Sequence, residues 1–288
     1  MNLDHFGMDT ITLAGPLEAK LKAVREAGFT QIMLNATDIV GHPDGEAAAV
    51  AAVRASGLRV TGFQVLRDFE GLSGTLHAYK VDVAKAMLDM CHALGSTVLL
   101  ACSSVSPHAS GKSEELVKDL RKLAMLAVPL NIRVAYEALS WGRHVNEFPQ
   151  SWDIVAEADR SNLGLCIDSY HVIANQTDLE LLEDIDPRKI FLVQLSDFLW
   201  QEVRSKEERI ETARHSRVFP GEGVHSDKVA EITRKLDETG YRGDYSFEVF
   251  NDDYRQLPLP MVCERARRSV GWITGLVSRR SLPARRRA

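Results

Sequence analysis

The chain has 288 residues, 45% of them hydrophobic, with 35 basic and 40 acidic side chains and a net charge of −5. That length buries a substantial core, and so ordinary a composition excludes collagen-like, disordered and disulfide-scaffold classes. The charge balance provides no global field to attract nucleic acid, so none is expected as a partner.

Cys91, Cys102, Cys166 and Cys263 lack Cys-x-x-Cys spacing and sit in apolar contexts, as small buried hydrophobes of a reducing compartment do. The opening MNLDHFGMDTITLAG has neither the basic nor the apolar region of a secretory signal, and no apolar run is long enough to span a bilayer. A cytoplasmic protein without membrane contact is expected. The arginines at 279, 280, 285, 286 and 287 predict a solvated, frayed basic tail over 278–288, behind a single domain over 1–277.

In chain order, a β-rich run over 9–13 comes first. Pro16 then opens a helix through LEAKLKAVREAG, with Leu17, Leu21 and Val24 on its apolar face and Gly28 closing it. Strands are predicted over 31–34 and 59–66, followed by a long helix over 75–94 that Gly95 stops. A strand over 97–102 leads to a helix from Ser113 to about residue 128. Four more strands follow, over 133–139, 163–168, 190–196 and 245–250, and a closing helix over 261–276. Eight strands separated by helical segments predict an α/β fold, a (β/α)8 TIM barrel. The rival, a doubly wound sheet, would carry a glycine-rich phosphate loop after its first strand, and there is none. In a barrel the chemistry sits at the C-terminal ends of the strands.

At those ends stand four lone polar residues in apolar runs: Glu137 in RVAYEAL, Asp168 in LGLCIDSYH, Gln194 in IFLVQLSD and Glu248 in DYSFEVFNDD. Any one of them alone is as readily a side chain satisfied by a neighbouring arginine or a backbone amide. Together, three carboxylates would repel strongly when buried, and a divalent cation relieves both the repulsion and the burial. The set contains no thiolate or imidazole, which favours one Mg2+ or Mn2+ over zinc, with Co2+ able to substitute. His171 follows Asp168 by three residues and is the candidate general base; a ligand carboxylate, Glu137 first, is the alternative.

These residues resemble the metal-binding constellation of the xylose isomerase-like superfamily, the sugar phosphate isomerase/epimerase group. Within it the chain is similar to the bacterial 3-dehydroshikimate dehydratases. FQVLRDFEG, YEALSWGRHV, LCIDSYHV, FLVQLSD, RHSRVFPGEG and GYRGDYSFEVFNDD carry the likeness over most of the chain. Gln at the third metal position and the RDFEG and FPGEG segments are its more specific signals. The family pattern has a serine ahead of the Arg-His pair where this chain has Ala213. Some members also carry a C-terminal domain similar to hydroxyphenylpyruvate dioxygenases, and the chain is expected to end before one.

The resemblance implies a hydro-lyase of quinate/shikimate catabolism that converts 3-dehydroshikimate to protocatechuate and water through an enolate. Such an enzyme needs an anchor for a small anionic substrate. Arg67, at the end of the third strand, is the first candidate for the substrate carboxylate, Arg217 the second, and Arg214 and His215 further contacts. Glu222 is a candidate to orient one of these arginines. Rival readings are a sugar or sugar-phosphate isomerase, epimerase or hydroxypyruvate isomerase-like enzyme on the same metal site, and a non-catalytic barrel. An apurinic endonuclease would need a histidine-rich three-metal site and a basic face, which this chain lacks. A homodimer is the default assembly.

Overall fold

The computed structural model describes residues 2–280, with side chains through 276. Its strands in chain order are β1 Phe6–Asp9, β2 Gln31–Asn35, β3 Arg59–Leu66, β4 Val98–Cys102, β5 Arg133–Glu137, β6 Leu163–Asp168, β7 Ile190–Leu195, β8 Asp197–Phe198, β9 Arg217–Val218 and β10 Tyr245–Phe247. Strands β1 to β7 and β10 close into one parallel barrel, while β8 and β9 pair antiparallel as a short ribbon beside its mouth. The helices are α1 Leu17–Glu26, α2 Ala36–Val40, α3 Glu46–Ser56, α4 Gly74–Ala93, α5 Ser113–Ala127, α6 Phe148–Ala158, α7 Ser169–Asn175, α8 Lys206–His215, α9 Ser226–Thr239 and α10 Leu259–Arg280.

The first strand departs from its predicted place over 9–13. TITL has the alternation of a strand, but Asp9 Oδ1 accepts the Ile11 N–H at 3.0 Å and turns Thr10–Thr12 into a 3-10 turn. The strand therefore lies earlier, in FGMD, with every residue buried. Thr12 still serves the seam: its hydroxyl donates to Phe247 O at 3.0 Å and accepts Val249 N–H at 2.9 Å. That contact also shortens the last barrel strand, predicted to reach 250 and ending at Phe247. Val249 takes its partner from Thr12, and Phe250 O accepts Arg217 N–H, so both leave the ladder.

Around the barrel, α1 begins after Pro16 and buries Leu17, Leu21 and Val24; Gly28 follows at φ +87°, a left-handed conformation that glycine adopts without strain. α10 continues through Arg280, three residues into the predicted tail, and residues 281–288 lie outside those described. Large apolar side chains such as Phe6, Phe63, Phe219 and Phe247 fill the space within and around the sheet. No described helix is long and apolar enough to cross a membrane. All four cysteines are buried free thiols.

Candidate active site

Glu137 ends β5, Asp168 ends β6, Gln194 pairs in register with Asp168 from β7, and Glu248 follows β10 directly. Parallel strands of like stagger bring all four to the C-terminal mouth, where none is more than 6% exposed. Above them opens a cleft of about 310 Å3, with Arg67, Trp141, His171, Arg214, Arg217 and Glu248 among its walls.

Asp168 organises the centre. Its Oδ1 accepts the Tyr170 N–H at 2.8 Å and so caps α7, and the first turn of that helix carries His171 back over the same carboxylate. His171 Nε2 stands 3.5 Å from Asp168 Oδ2 and 3.8 Å from Glu137 Oε1. Glu137, Asp168 and His171 form a candidate metal cluster, with ligand atoms all within 4.8 Å of one another. Glu248 joins it differently: Arg217 Nη1 bridges Asp168 Oδ2 at 2.8 Å and Glu248 Oε2 at 3.1 Å.

Arg217, the second candidate for the substrate anchor, is held inside this cluster. The guanidinium is 2% exposed, its Nε donates to Ala213 O at 2.8 Å, and it lies over the Tyr170 ring at 4.5 Å. Burial works against its charge, but Asp168 and Glu248 hold it protonated. Its Nη1 is committed to the carboxylates of the site, and the residue also lines the cleft. Arg67 and Arg214 are instead exposed on the cleft wall, Arg214 over Trp141 at 5.8 Å. Among the described residues Arg67 has no acidic partner, because Asp68 and Glu70 are engaged with the loop after β4. His215 does not line the cleft; its Nδ1 meets Asp252 Oδ2 at 2.9 Å. Glu222 orients no cleft arginine, since it binds Arg265 on α10 at 2.7 Å. Ala213 lines the cleft, leaving a methyl where the family pattern has a hydroxyl.

Electrostatically the site is overloaded with acid. Burial, then the charges of Asp168 and Glu248, push the Glu137 carboxyl well above the usual range. Burial pushes Glu248 up to about 7 against the pull of Arg217. His171 is pulled down to about 3 by burial, against the nearby Asp168, and so is neutral. Its Nδ1 meets both the Ser140 N–H and the Ser140 hydroxyl, each at 3.1 Å.

A divalent cation fits this chemistry. Glu137 Oε1 is buried without a partner while its Oε2 accepts the Cys102 thiol at 2.8 Å, an orphaned acceptor facing an acidic cluster. His171 within ligand distance adds an imidazole that the predicted quartet lacked, so the donor set separates Mn2+ from zinc less sharply than the sequence suggested. Sequence reasoning also missed Asp9, Gln64, Ser140 and Cys102. Asp9 had the right signal, a lone carboxylate ending a barrel strand, hidden by the misplaced first strand.

A family model for the xylose isomerase-like TIM barrel matches residues 21–274. The 3-dehydroshikimate dehydratase of Pseudomonas aeruginosa is 38% identical over 252 residues, 86% of this chain, which spans only 38% of that relative's length. An inosose isomerase of Halalkalibacterium halodurans is 31% identical over 60% of this chain and 60% of its own. Among solved structures, a xylose isomerase-like TIM barrel/4-hydroxyphenylpyruvate dioxygenase fusion protein superposes with a TM-score of 0.89 at 33% identity, over 96% of this chain and 43% of that one. The IOLI protein, solved with a zinc atom, shares the fold at a TM-score of 0.81 and 22% identity, over 96% of this chain and 98% of that one. The chain belongs to the xylose isomerase-like TIM-barrel family.

Proposed function

We propose that this barrel is a metal-assisted lyase that removes water from 3-dehydroshikimate to give protocatechuate. The observation that carries the reading is the pairing of a buried carboxylate cluster, one oxygen of it orphaned, with two exposed arginines on the wall of the same cleft. The named dehydratase relative supports the choice of substrate.

Glu137, Asp168, Gln194 and Glu248 would hold the cation, with His171 within reach, and the cation would supply positive charge to a substrate ketone oxygen. Mg2+ and Mn2+ are the first choices for an oxygen-rich set. Arg67 and Arg214 bind the substrate carboxylate at the rim. His171 takes the proton α to the ketone and returns one to the departing β-hydroxyl, which leaves as water; tautomerisation of the ring gives the catechol. Ser140 suits that shuttle. Its N–H satisfies Nδ1 when Nε2 carries the proton, and its hydroxyl accepts from Nδ1–H when the Nε2 lone pair faces the cleft. Trp141, edge-on to His171 with ring centroids 5.0 Å apart, walls the site from solvent.

The test is an absorbance assay. Protein stripped with chelator is given Mg2+, Mn2+ or Co2+ with 3-dehydroshikimate, and catechol formation is followed. The expected result is metal-dependent product, lost in Glu248→Gln and shifted to higher KM in Arg67→Ala. Folded protein that binds metal yet forms no product with any of them overturns the reading. The same protein offered inosose then tests the isomerase alternative that the second relative represents.

A further inference from the structure

Beside the candidate metal cluster stand two buried polar side chains that the proposed chemistry does not use, one of them, Gln64, lining the cleft. Gln64 on β3 and Asp9 at the end of β1 are 2% and 0% exposed. The Gln64 amide nitrogen donates to Asp9 Oδ2, and Asp9 Oδ1 is already committed to the Ile11 N–H. On its other side, Gln64 Oε1 accepts from Gln194 Nε2 at 3.5 Å. Gln194 Oε1 in turn receives the Cys166 thiol at 3.3 Å. Both glutamine side chains pull the Glu248 carboxyl down against the effect of burial.

An amide's two ends are told apart only by its partners. An ionised Asp9 only accepts, so it takes the nitrogen of Gln64 on its side, the contact the structure has. That turns Gln64 Oε1 toward Gln194 and obliges Gln194 to offer its nitrogen there. The Gln194 oxygen is then the end with lone pairs to offer: the Cys166 thiol meets it at 3.3 Å, and a bound cation would use the same atom. Burial without such partners would leave each amide unsatisfied, and a reversed Gln194 would point an N–H2 at a metal.

We infer that Gln64, held by Asp9, is a positioning residue that fixes the amide orientation of Gln194, and thereby sets the affinity of the site for a divalent cation. The inference rests on the metal reading given above. Outer-shell partners of this kind are worth about 10- to 100-fold in metal affinity.

The test measures Mn2+ binding directly, by the electron paramagnetic resonance signal of free Mn2+ in titrations of the metal-stripped protein. Gln64→Met keeps the volume and removes the amide, and Asp9→Asn keeps the shape and removes the charged acceptor. The expected result is a Kd for Mn2+ at least tenfold weaker in Gln64→Met and several-fold weaker in Asp9→Asn, with cooperative unfolding of the metal-free proteins retained. A merely structural role would move the unfolding midpoint and leave the Kd of the folded fraction unchanged. If Gln64→Met does not fold, Asp9→Asn decides alone. Parent-like Kd values, within twofold, in the variants that fold overturn the inference. Absence of Mn2+ binding by the parent protein overturns the metal reading itself, a separable outcome.

Discussion

Ser140 reaches Nδ1 of His171 with two groups of opposite character, an N–H that only donates and a hydroxyl that also accepts, each at 3.1 Å. Removing the hydroxyl leaves the N–H in place and so locks the imidazole with its proton on Nε2, the form that cannot accept at the cleft. Ser140→Ala is therefore expected to lower kcat about tenfold, the worth of one hydrogen bond to a shuttling group, with KM nearly unchanged. Ser140→Thr, which keeps the hydroxyl, is expected to retain most of the rate. Steady-state kinetics on the three proteins decide the matter. Equal kcat in parent and Ser140→Ala would remove Ser140 from the proton path.

Between elements, the wall of the cleft is tied together by carboxylates rather than by strand pairing. Asp68, at φ +52°, accepts Val105 N–H at 2.8 Å and Ser106 N–H at 3.1 Å, while Glu70 accepts Ser104 N–H at 2.5 Å and the Tyr136 hydroxyl at 2.9 Å. Burial pushes Glu70 up to about 7, from an ordinary value of 4.5. A raised carboxyl keeps its proton in the folded chain where the unfolded chain has lost it. Its contribution to stability is whole below pH 4.5 and declines as pH rises toward 7, by about 3 kcal/mol if the group ionises alone. Glu70→Gln is expected to flatten that decline, measured by denaturant unfolding in chelator from pH 4.5 to 7.5. Parallel pH profiles for parent and variant would show that Glu70 does not titrate in this range. The same elements show what sequence could reveal. Strands β3 and β6 lie where their apolar runs predict, because each is buried and bounded by turn signals. β1 does not, because side-chain hydrogen bonds from Asp9, Thr10 and Thr12 outweigh the local β-preference of TITL. The ligand carboxylates were legible as lone charges in apolar strands. The carboxylate partners of Arg217 were out of local reach, 49 and 31 residues away, and Gln64 was missed because its partner lies two strands over and 55 residues back.

At the scale of the barrel, four carboxyl groups, Asp9, Glu137, Asp168 and Glu248, converge at one end against the buried guanidinium of Arg217. Burial raises Asp9, Glu137 and Glu248 together, so near neutral pH the metal-free barrel either carries extra protons or bears unpaired charge at its mouth. A divalent cation that binds only the folded chain replaces those protons and couples its own binding to global stability. At a free Mn2+ concentration about 100 times Kd, the unfolding free energy is expected to rise by about 2.7 kcal/mol. Because Glu248 sits near 7, protons compete with the cation below that value. The gain at a fixed Mn2+ concentration is thus expected to be larger at pH 8 than at pH 6. Glu248→Gln, which removes one ligand charge and one competing proton, is expected to lose most of the gain and its pH dependence together. Denaturant unfolding with and without Mn2+ at the two pH values measures this, and a midpoint indifferent to Mn2+ at both would leave the acidic mouth of the barrel to Arg217 and protons alone.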